Sequence, residues 1–473
     1  MHLVTDAENN DAGYFTDGPP GTVVNANFLN TVLKEIKAVI EAAGIGLSSA
    51  ESDTNTQLLS ALTTHFYPSN YDRVVKTQTE FNALFTRTGA NAYVITNGIR
   101  SVYIRNTGVA YACYGPTSFL SGGDTYAVIK TNDCINLICD PGAYFYFEDT
   151  LGRVDCNREG AHITNLWVKG LGTTPVAVSE SILVSASGIR LTSCRVTDRR
   201  ITGAGRAGFR STNSLTNDIQ TFDSCSVERI TADGDFSGFL SCSNLENCKV
   251  ITLTGGDGAT LSGYRSCSRL SGCLAYAFVA TGTCILTGMY GTTYVSNSTL
   301  LSLVSTGSGA VTGFDTCSKI SACACSCTCD NGSATGFSGG NSVSSCVSNV
   351  ASTGTGNARG FNSTTSISSC ESYSSTLLSD AYCYLSCSFV SACYAAAIAL
   401  GGGNKAYGFS SCDQIAACFA LATGTVQEAF HSCTHGSALH TTCATNTLNN
   451  YIDSAAATLG AGAGNYSTEQ FFT

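Results

Sequence analysis

The sequence predicts a mainly β protein whose body is a parallel β-helix with coils of about 23–25 residues. A unit that opens with Gly and an aromatic residue recurs through residues 208–443, and a regular period of this length is typical of a solenoid. The copies are rich in Gly, Ser, Thr, Asn and Cys and lack the 3.6-residue apolar stripe of a helix. Within the copies, apolar and polar residues alternate with a period of two, as they do in strands. At about 3.3 Å per residue, such a unit supplies three short strands and three corners.

The repeat places Cys and aliphatic residues at fixed offsets from its opening glycine. Four clear copies begin at Gly238, Gly263, Gly313 and Gly408, and degenerate copies begin at Gly208, Gly288, Gly336, Gly360, Cys383 and Ala429. Offset seven holds Leu245, Leu270, Ile320 and Ile415. Offsets four and ten hold the predicted interior ladder, which comprises Cys242, Cys248, Cys267, Cys273, Cys317, Cys323, Cys412 and Cys418.

These offsets differ by three, whereas inward positions on one straight strand differ by two. We therefore expect bends between them, with both Cys columns and the aliphatic column facing inward. Free Cys suits a narrow interior because it behaves as a small hydrophobic residue. The opening glycine is expected at a corner, and its aromatic neighbour is expected to stack on the next coil.

Charge is scarce and unevenly distributed. Charged residues make up 12% of the chain, and only 14 of them fall within residues 238–445. A long segment so poor in charge suggests that much of the solenoid flank is covered, most simply by copies of the same chain. The net charge of −10 argues against a nucleic-acid partner, because no basic stripe could neutralise phosphates. The sequence has no run of 18 apolar residues, so we do not expect membrane insertion.

The 25 cysteines follow the repeat rather than a pairing scheme. Residues 1–20 are polar and acidic and lack the apolar segment of a signal peptide. We therefore expect folding in a reducing cytoplasm with free thiols. Release from the cell would occur by lysis or as part of a particle.

Four regions are predicted along the chain. They are an N-terminal arm with helices (1–70), an irregular first part of the β-helix (71–207), the repetitive shaft (208–443) and a C-terminal cap or tail (444–473). Thr77 followed by Glu80 predicts a short helix with a capping box. An earlier helix begins near Asn25 or Asn27, and about 18 residues cannot bury its apolar face alone. That face comprises Phe28, Leu29, Val32, Leu33, Ile36, Val39 and Ile40.

The N-terminal region carries a family resemblance. Residues 18–30 read Gly-Pro-Pro-Gly-Thr-Val-Val-Asn-Ala-Asn-Phe-Leu-Asn, and residues 55–62 read Asn-Thr-Gln-Leu-Leu-Ser-Ala-Leu. Together with residues 35–45, these pieces resemble, in the same order, the N-terminal segment of tail fibre and tailspike proteins. Such proteins belong to bacteriophages and phage-tail-derived particles. The resemblance covers roughly residues 15–130.

The resemblance implies a homotrimer whose N-terminus binds a baseplate or tail protein and whose shaft is a right-handed parallel β-helix. It implies a place in a virion tail or phage-tail-like particle, extracellular after assembly in the bacterial cytoplasm. The expected partner is a host cell-surface glycan or another envelope receptor. Tailspikes usually end in a C-terminal trimerisation or receptor-binding module, which is not evident here. The receptor site is therefore expected on the flank or at the distal end of the solenoid.

Many tailspikes are depolymerases, so glycan cleavage is the alternative to adhesion. Hydrolysis requires two carboxylates about 5–10 Å apart. Only one region is dense enough in acids, and nothing in its spacing selects a pair, so a solvated loop face is favoured and no catalytic residue is assigned. A bacterial surface adhesin is a weaker alternative. The candidate acids are Asp198, Asp218, Asp223, Glu228, Asp233 and Asp235.

Three further groups have a chemical and a structural interpretation. Cys323, Cys325, Cys327 and Cys329 could bind a metal, but alternate residues on one strand favour an inward ladder. A second group could form a metal cluster or nucleophilic pair, but a polar cap is expected in the last repeat; it comprises His431, His435, His440, Cys433 and Cys443. Trp167, Tyr264, Tyr290, Tyr384 and Tyr407 could bind carbohydrate, although packing within coils is favoured. We expect no metal and no cofactor.

Overall fold

The structure is a computed structural model that divides into two compact units, residues 1–73 and 74–473. It describes residues 10–11, 14–15, 34–35, 38, 71–113, 118, 127–147, 152–170, 180–201, 205–212, 220–437 and 439–443. In the first unit, Asn10–Asp11 pairs antiparallel with Tyr14–Phe15, and residues 34, 35 and 38 are helical. The seven apolar residues of the predicted attachment helix lie outside the described residues.

The second unit is a parallel β-helix, which confirms the predicted fold class. Its coils contribute strands to three long sheets, named here sheets 1, 2 and 3. The chain runs through them in that order within each coil of the repeat. The hairpin Phe85–Gly89 with Ala92–Ile95 begins sheet 1 and is antiparallel, whereas the later coils pair in parallel.

Sheet 1 comprises Phe85–Gly89, Ala92–Ile95, Ala127–Lys130, Gly152–Cys156, Glu180–Val184, Arg206–Ser211, Phe236–Leu240, Thr260–Arg265, Ile285–Tyr290, Val311–Asp315, Ala334–Ser338, Ala358–Asn362, Ala381–Leu385, Lys405–Ser410 and Val426–His431. Sheet 2 comprises Arg73–Val75, Ser101–Ile104, Asn136–Cys139, His162–Thr164, Arg190–Thr192, Thr221–Asp223, Ser243–Glu246, Ser268–Ser271, Thr293–Ser296, Ser318–Ser321, Asn341–Ser344, Thr365–Ser368, Ser388–Ser391, Asp413–Ala416 and Thr434–Ser437. Sheet 3 comprises Tyr111–Ala112, Phe145–Tyr146, Trp167–Lys169, Arg195–Ile201, Ser226–Ala232, Lys249–Gly255, Leu274–Ala280, Thr299–Ser305, Ala324–Cys329, Val347–Ser352, Glu371–Thr376, Tyr394–Ala399, Phe419–Gly424 and His440–Cys443.

The aromatic residue of each repeat stacks on its equivalent in the next coil, as predicted. Phe239 packs between Phe209 and Tyr264, with ring centroids 4.9 and 5.2 Å apart. Met289 occupies the same register position and interrupts the ladder. The stack then resumes and continues to the last coil through Phe314, Phe337, Phe361, Tyr384, Phe409 and Phe430.

The opening glycine does not lie at a corner, so that prediction was wrong. Gly263 lies inside the strand Thr260–Arg265 of sheet 1. A Cβ atom there would lie 2.7 Å from the Gly288 carbonyl oxygen and 3.1 Å from the Phe278 ring of sheet 3. Glycine is required at Gly263 because Phe278 and the next coil leave no room for a side chain, whereas Cys383 and Ala429 occupy the equivalent position in later coils.

The expected bends occur at residues in the left-handed backbone region. In one coil these are Ser241, Asn244 and Asn247, with φ of 56°, 48° and 53°. Each precedes an inward residue, so a left-handed residue at every third position explains offsets that differ by three. The interior columns are buried as predicted; Cys242, Leu245 and Cys248 are at most 1% exposed, and Cys267, Cys273, Cys317, Cys323, Cys412 and Cys418 at most 2%.

A short helix, Gln78–Ala83, packs against the first strands of sheet 3. Its predicted capping box is present, because Glu80 N–H donates to Thr77 Oγ1 and Thr77 N–H donates to Glu80 Oε2. The ring of Phe81 lies 4.9 Å from that of Tyr111 and 5.0 Å from that of Phe145. Within the described part of the chain, no helix has the length and apolar character needed to cross a membrane.

Candidate functional site

The predicted acidic cluster contains Asp198, which is held by cations. Arg229 donates to it through Nε at 2.5 Å and Nη2 at 2.8 Å, and Lys169 Nζ lies 3.8 Å away. The hydrogen bonds from Arg229 hold the pKa of Asp198 below its ordinary value, although partial burial opposes the shift. A general acid for glycan hydrolysis needs a raised pKa, so Asp198 does not suit that role.

The other candidate acids are distributed over separate parts of the coil. Asp233 accepts from Arg200, and Asp235 accepts from the Thr260 backbone N–H; both lie between a strand of sheet 3 and one of sheet 1. Asp223 lies on sheet 2 and accepts from Ser224, and Glu228 lies on sheet 3 and accepts from Ser226. Asp218 lies outside the described residues. Each described acid thus has its own local hydrogen-bond partner, and Asp198 and Glu228 lie on neighbouring strands of sheet 3.

The cysteines line the interior. Cys325, Cys327 and Cys329 alternate inward along the strand Ala324–Cys329, and Cys323 is buried at the preceding corner, as the ladder interpretation predicted. Burial raises the pKa of Cys156 well above the ordinary thiol value and that of Cys317 to about 11. Among the described residues, no group of three or more His, Cys, Asp or Glu side chains is arranged to hold a metal ion.

His431 pairs with an acid that the sequence interpretation did not consider. Its Nδ1 contacts Glu428, and Lys405 Nζ lies 3.6 Å from the same carboxylate. The Glu428 side chain is only 2% exposed, whereas Lys405 is 41% and His431 28% exposed, so the two bases cover a buried carboxylate at the end of sheet 1. Cys433 is buried, and the side chains of His435, His440 and Cys443 lie outside the described residues.

Several aromatic candidates are packed within the coils, as the structural interpretation favoured. Tyr264 and Tyr384 are fully buried, and their hydroxyls donate to backbone carbonyl oxygens at 2.7 and 2.9 Å. Tyr407 is 5% exposed and stacks on Tyr382. Trp167 is half-buried and donates from its indole nitrogen to Thr197. Tyr290, the fifth candidate, is exposed, with 38% of its surface accessible.

The outer face of sheet 2 carries three parallel rows of side chains along the shaft. The two flanking rows are mainly hydroxyl and amide groups, drawn from Ser243, Ser268, Thr293, Ser318, Asn341, Thr365 and Ser388 on one side and Ser271, Ser296, Ser321, Ser344, Ser368 and Ser391 on the other. The central row comprises Asn244, Arg269, Tyr294, Lys319, Ser342, Ser366, Phe389 and Gln414. Every member of the central row has a left-handed backbone.

Two bulky aromatics occupy this strained row. Tyr294 and Phe389 each have φ of 53° and are 51% and 56% exposed. A bulky residue is rarely found in the left-handed region, where Gly or Asn fits without penalty. The left-handed backbone recurs at this offset in every coil, so it is a regular bend of the fold and does not mark a site by itself. We regard the central row as the candidate functional surface because its exposed side chains include aromatic and charged residues.

Tyr294 lies between two cations and two shallow hollows. Lys319 Nζ lies 2.8 Å from the Tyr294 hydroxyl and 4.3 Å from its ring centroid. This hydrogen bond lowers the pKa of Tyr294. A hollow of about 460 Å³ extends from Tyr294 to Lys319, and another of about 280 Å³ extends from it to Arg269. We name this group the Tyr294 groove, defined by Arg269, Tyr294, Ser296 and Lys319.

The Tyr294 groove has the chemistry of a carbohydrate-binding surface. Its exposed ring offers an apolar platform, and the flanking hydroxyls can both donate and accept hydrogen bonds. Arg269 and Lys319 add positive charge on either side of the ring, and Glu246 adds one carboxylate to the Arg269 hollow. The excess of positive charge suits the carboxylate or phosphate groups of acidic glycans. The groove is open and elongated along the shaft, as binding of a polymer requires.

Sequence reasoning did not identify this groove. The inward columns repeat the same residue type, whereas offset six varies from Asn to Arg, Tyr and Lys in successive coils. The sequence signal that could have identified the groove is offset six itself, which faces outward in every coil and varies among charged, polar and aromatic residues.

Comparisons with known proteins assign this chain neither a family nor an activity. No protein-family model and no curated protein matches the chain. One similar solved structure is described as a mannuronic acid specific polysaccharide family 6 lyase enzyme from human gut microbiota. It is 8% identical, with 72% of this chain and 80% of that chain covered and a TM-score of 0.27. A likeness this weak carries no inference about activity.

Proposed function

We propose that the chain is an adhesive fibre that binds a cell-surface glycan along the outer face of sheet 2. The observation that carries the proposal is the Tyr294 groove, in which an exposed aromatic lies between two cations and rows of hydroxyls. The β-helix supplies a rigid support, because each coil is hydrogen-bonded to the coils on either side.

The ligand class follows from the side chains of the groove. Sugar rings present apolar faces that stack on an aromatic ring and hydroxyls that exchange hydrogen bonds with Ser and Thr. Neighbouring coils are spaced by about 4.8 Å, so an extended chain would meet similar hydroxyl pairs at each step. Arg269 and Lys319 favour an acidic polysaccharide over a neutral one.

The biological setting of the proposal rests on the N-terminal resemblance to tail fibres and tailspikes. In this setting the chain is a homotrimer of a phage tail or phage-tail-like particle. Residues 1–70 would attach to a baseplate or tail protein, and the shaft would meet the host envelope. The low charge of the shaft supports association of copies along its flank.

Binding without cleavage is favoured over depolymerase activity. The five described candidate acids have other partners, and Asp198 has a lowered pKa. Cleavage would require an acid of raised pKa opposite a second carboxylate at a set distance. The chemistry of the Tyr294 groove instead fits recognition.

The test is retention of the full-length protein on a printed array of bacterial lipopolysaccharides and capsular polysaccharides. Each retained polysaccharide is then incubated with the protein in solution, and reducing ends and unsaturated uronates are measured. We expect retention on acidic polysaccharides with neither product. New reducing ends or unsaturated uronates would show that the protein cleaves the polysaccharide and would overturn binding without cleavage. Absence of retention on every polysaccharide would overturn the glycan-binding proposal.

A further inference from the structure

Sheet 3 presents an apolar outer face. Five large hydrophobic side chains on its strands are between 37% and 44% exposed, and they are Tyr276, Val279, Leu301, Tyr373 and Ile398. Leu378 and Leu400, which follow strands of the same sheet, are 59% and 67% exposed. Contiguous exposed apolar surface on a soluble protein usually marks an interaction site.

Charge is nearly absent from the same face. In the eight strands from Lys249–Gly255 to Phe419–Gly424, the charged residues are Lys249 and Glu371 alone. The eight shorter strands of sheet 2 in the same coils carry four charged residues, Glu246, Arg269, Lys319 and Asp413. The two faces therefore differ in chemistry, and sheet 3 is the better suited of the two to removal from water.

The dimensions of the face match those of a stable protein interface. Eight strands spaced by about 4.8 Å span roughly 34 Å, and strands of six or seven residues span about 20 Å. The product is roughly 700 Å², close to the ~800 Å² per partner of a standard interface. The area is large enough for association without a contribution from another sheet.

We propose that the outer face of sheet 3 is the contact between copies of this chain, with the copies parallel and sheet 3 facing a common axis. A second copy is favoured over a glycan because a hydrated polymer gains little from an uncharged apolar surface. It is favoured over a shorter partner because exposed apolar residues recur from Tyr276 to Ile398, with polar interruptions at Ser326 and Asn349, and a parallel copy covers that whole length. The proposal rests on the homotrimer in the proposed function and names its surface. It leaves the Tyr294 groove free.

The test is the mass of the full-length chain in solution, measured by sedimentation equilibrium. Two variants are compared with the wild type. The double variant Tyr276→Lys with Leu301→Lys places charge on neighbouring strands of sheet 3. The matched control, Phe389→Lys, makes the same kind of change at an exposed aromatic on sheet 2. Circular dichroism checks that each remains folded.

We expect the wild type and F389K to sediment at three times the 49.0 kDa chain mass and the sheet 3 variant at one chain mass. A trimeric sheet 3 variant would overturn the assignment of the face while leaving the homotrimer. A monomeric wild type would overturn both. If the wild type is monomeric and only a chain truncated after residue 443 self-associates, residues 444–473 cover the face instead. Glycan retention is measured separately, so failure of this proposal is distinguishable from failure of the adhesive function.

Discussion

At the residue scale, the narrow interior of the coil explains the glycines of the repeat. Gly263 and its equivalents lie inside sheet 1, opposite the side chains of sheet 3. Gly313 shows the same crowding, since a Cβ there would lie 2.6 Å from the Gly336 carbonyl oxygen and 2.9 Å from Cys325 Cβ. At Gly263 and Gly313, glycine is therefore explained by lack of space rather than by backbone freedom.

Replacement of Gly263 by Ala should lower the free energy of unfolding by about 1–3 kcal/mol, because the added methyl group overpacks the interior. Gly402→Ala is the matched control, since a Cβ at Gly402 would meet nothing within 4 Å, and its effect should stay within about 0.5 kcal/mol. Urea unfolding followed by circular dichroism measures both. Equal stability of the two variants would show that the interior accommodates a side chain at this position.

Asp198 gives a prediction for the pH dependence of stability. Its pKa is lowered in the folded state by Arg229, so the carboxylate stabilises the fold above the ordinary Asp pKa, and that contribution is lost as the pH falls through the lowered value. At pH 7, Asp198→Asn should reduce the free energy of unfolding by about 0.5–1 kcal/mol, as expected for a partly exposed pair.

The difference between wild type and D198N should shrink as the pH falls below about 4. Urea unfolding at a series of pH values measures it, and Arg229→Met, which removes the partner cation, should remove the same pH dependence. A difference that stays constant down to pH 2 would contradict a stabilising role for the ionised carboxylate.

At the element scale, the inward columns of equivalent residues show which parts of the fold could be predicted from the sequence. Stacked coils place equivalent residues directly above one another, so the inward Cys and aliphatic columns repeat visibly and were predicted correctly. The bends were expected but could not be placed, because residues as different as Ser241, Asn244 and Lys319 adopt the left-handed backbone. The glycine was misassigned for a related reason. Its contacts are with sheet 3 and with the next coil, and neither is adjacent in sequence.

The candidate site was less predictable than the fold. Proximity in sequence grouped the acids between Asp198 and Asp235, yet Asp223 lies on sheet 2, Asp198 and Glu228 lie on neighbouring strands of sheet 3, and Asp233 and Asp235 lie in the loop that follows. The Tyr294 groove joins residues about 25 positions apart, and its members share no residue type. Only the register of the coils shows that Arg269, Tyr294 and Lys319 are neighbours.

The buried cysteines should be unreactive in the folded protein. All 24 cysteines whose side chains the structure describes are free and buried, and burial raises the pKa of Cys139 and Cys156 well above the ordinary thiol value. Because the thiolate is the nucleophile, N-ethylmaleimide should modify these residues only after denaturation.

Peptide mapping by mass spectrometry, before and after guanidinium treatment, measures that modification. The denatured sample serves as the control for complete labelling. Rapid labelling of Cys156 or Cys317 in the native protein would contradict the buried arrangement of the columns.

At the scale of the whole molecule, two faces of the solenoid differ in chemistry. Sheet 3 is apolar and suits contact between copies, whereas sheet 2 is lined with hydroxyl groups and carries the Tyr294 groove. If three copies face a common axis through sheet 3, each groove remains open to solvent, and the fibre presents three equivalent binding surfaces. Multiple weak glycan contacts then add to a tight attachment.

The most direct test of the account is the affinity of the Tyr294 groove for an acidic polysaccharide retained on the array. Isothermal titration calorimetry compares the wild type with Tyr294→Ala and with Tyr290→Ala, which removes an exposed tyrosine from sheet 1. Loss of a central aromatic contact typically costs about 2 kcal/mol or more, so the Kd of Y294A should rise by about tenfold or more. The Kd of Y290A should stay unchanged. Equal affinity of Y294A and wild type would contradict the assignment of the binding surface to sheet 2.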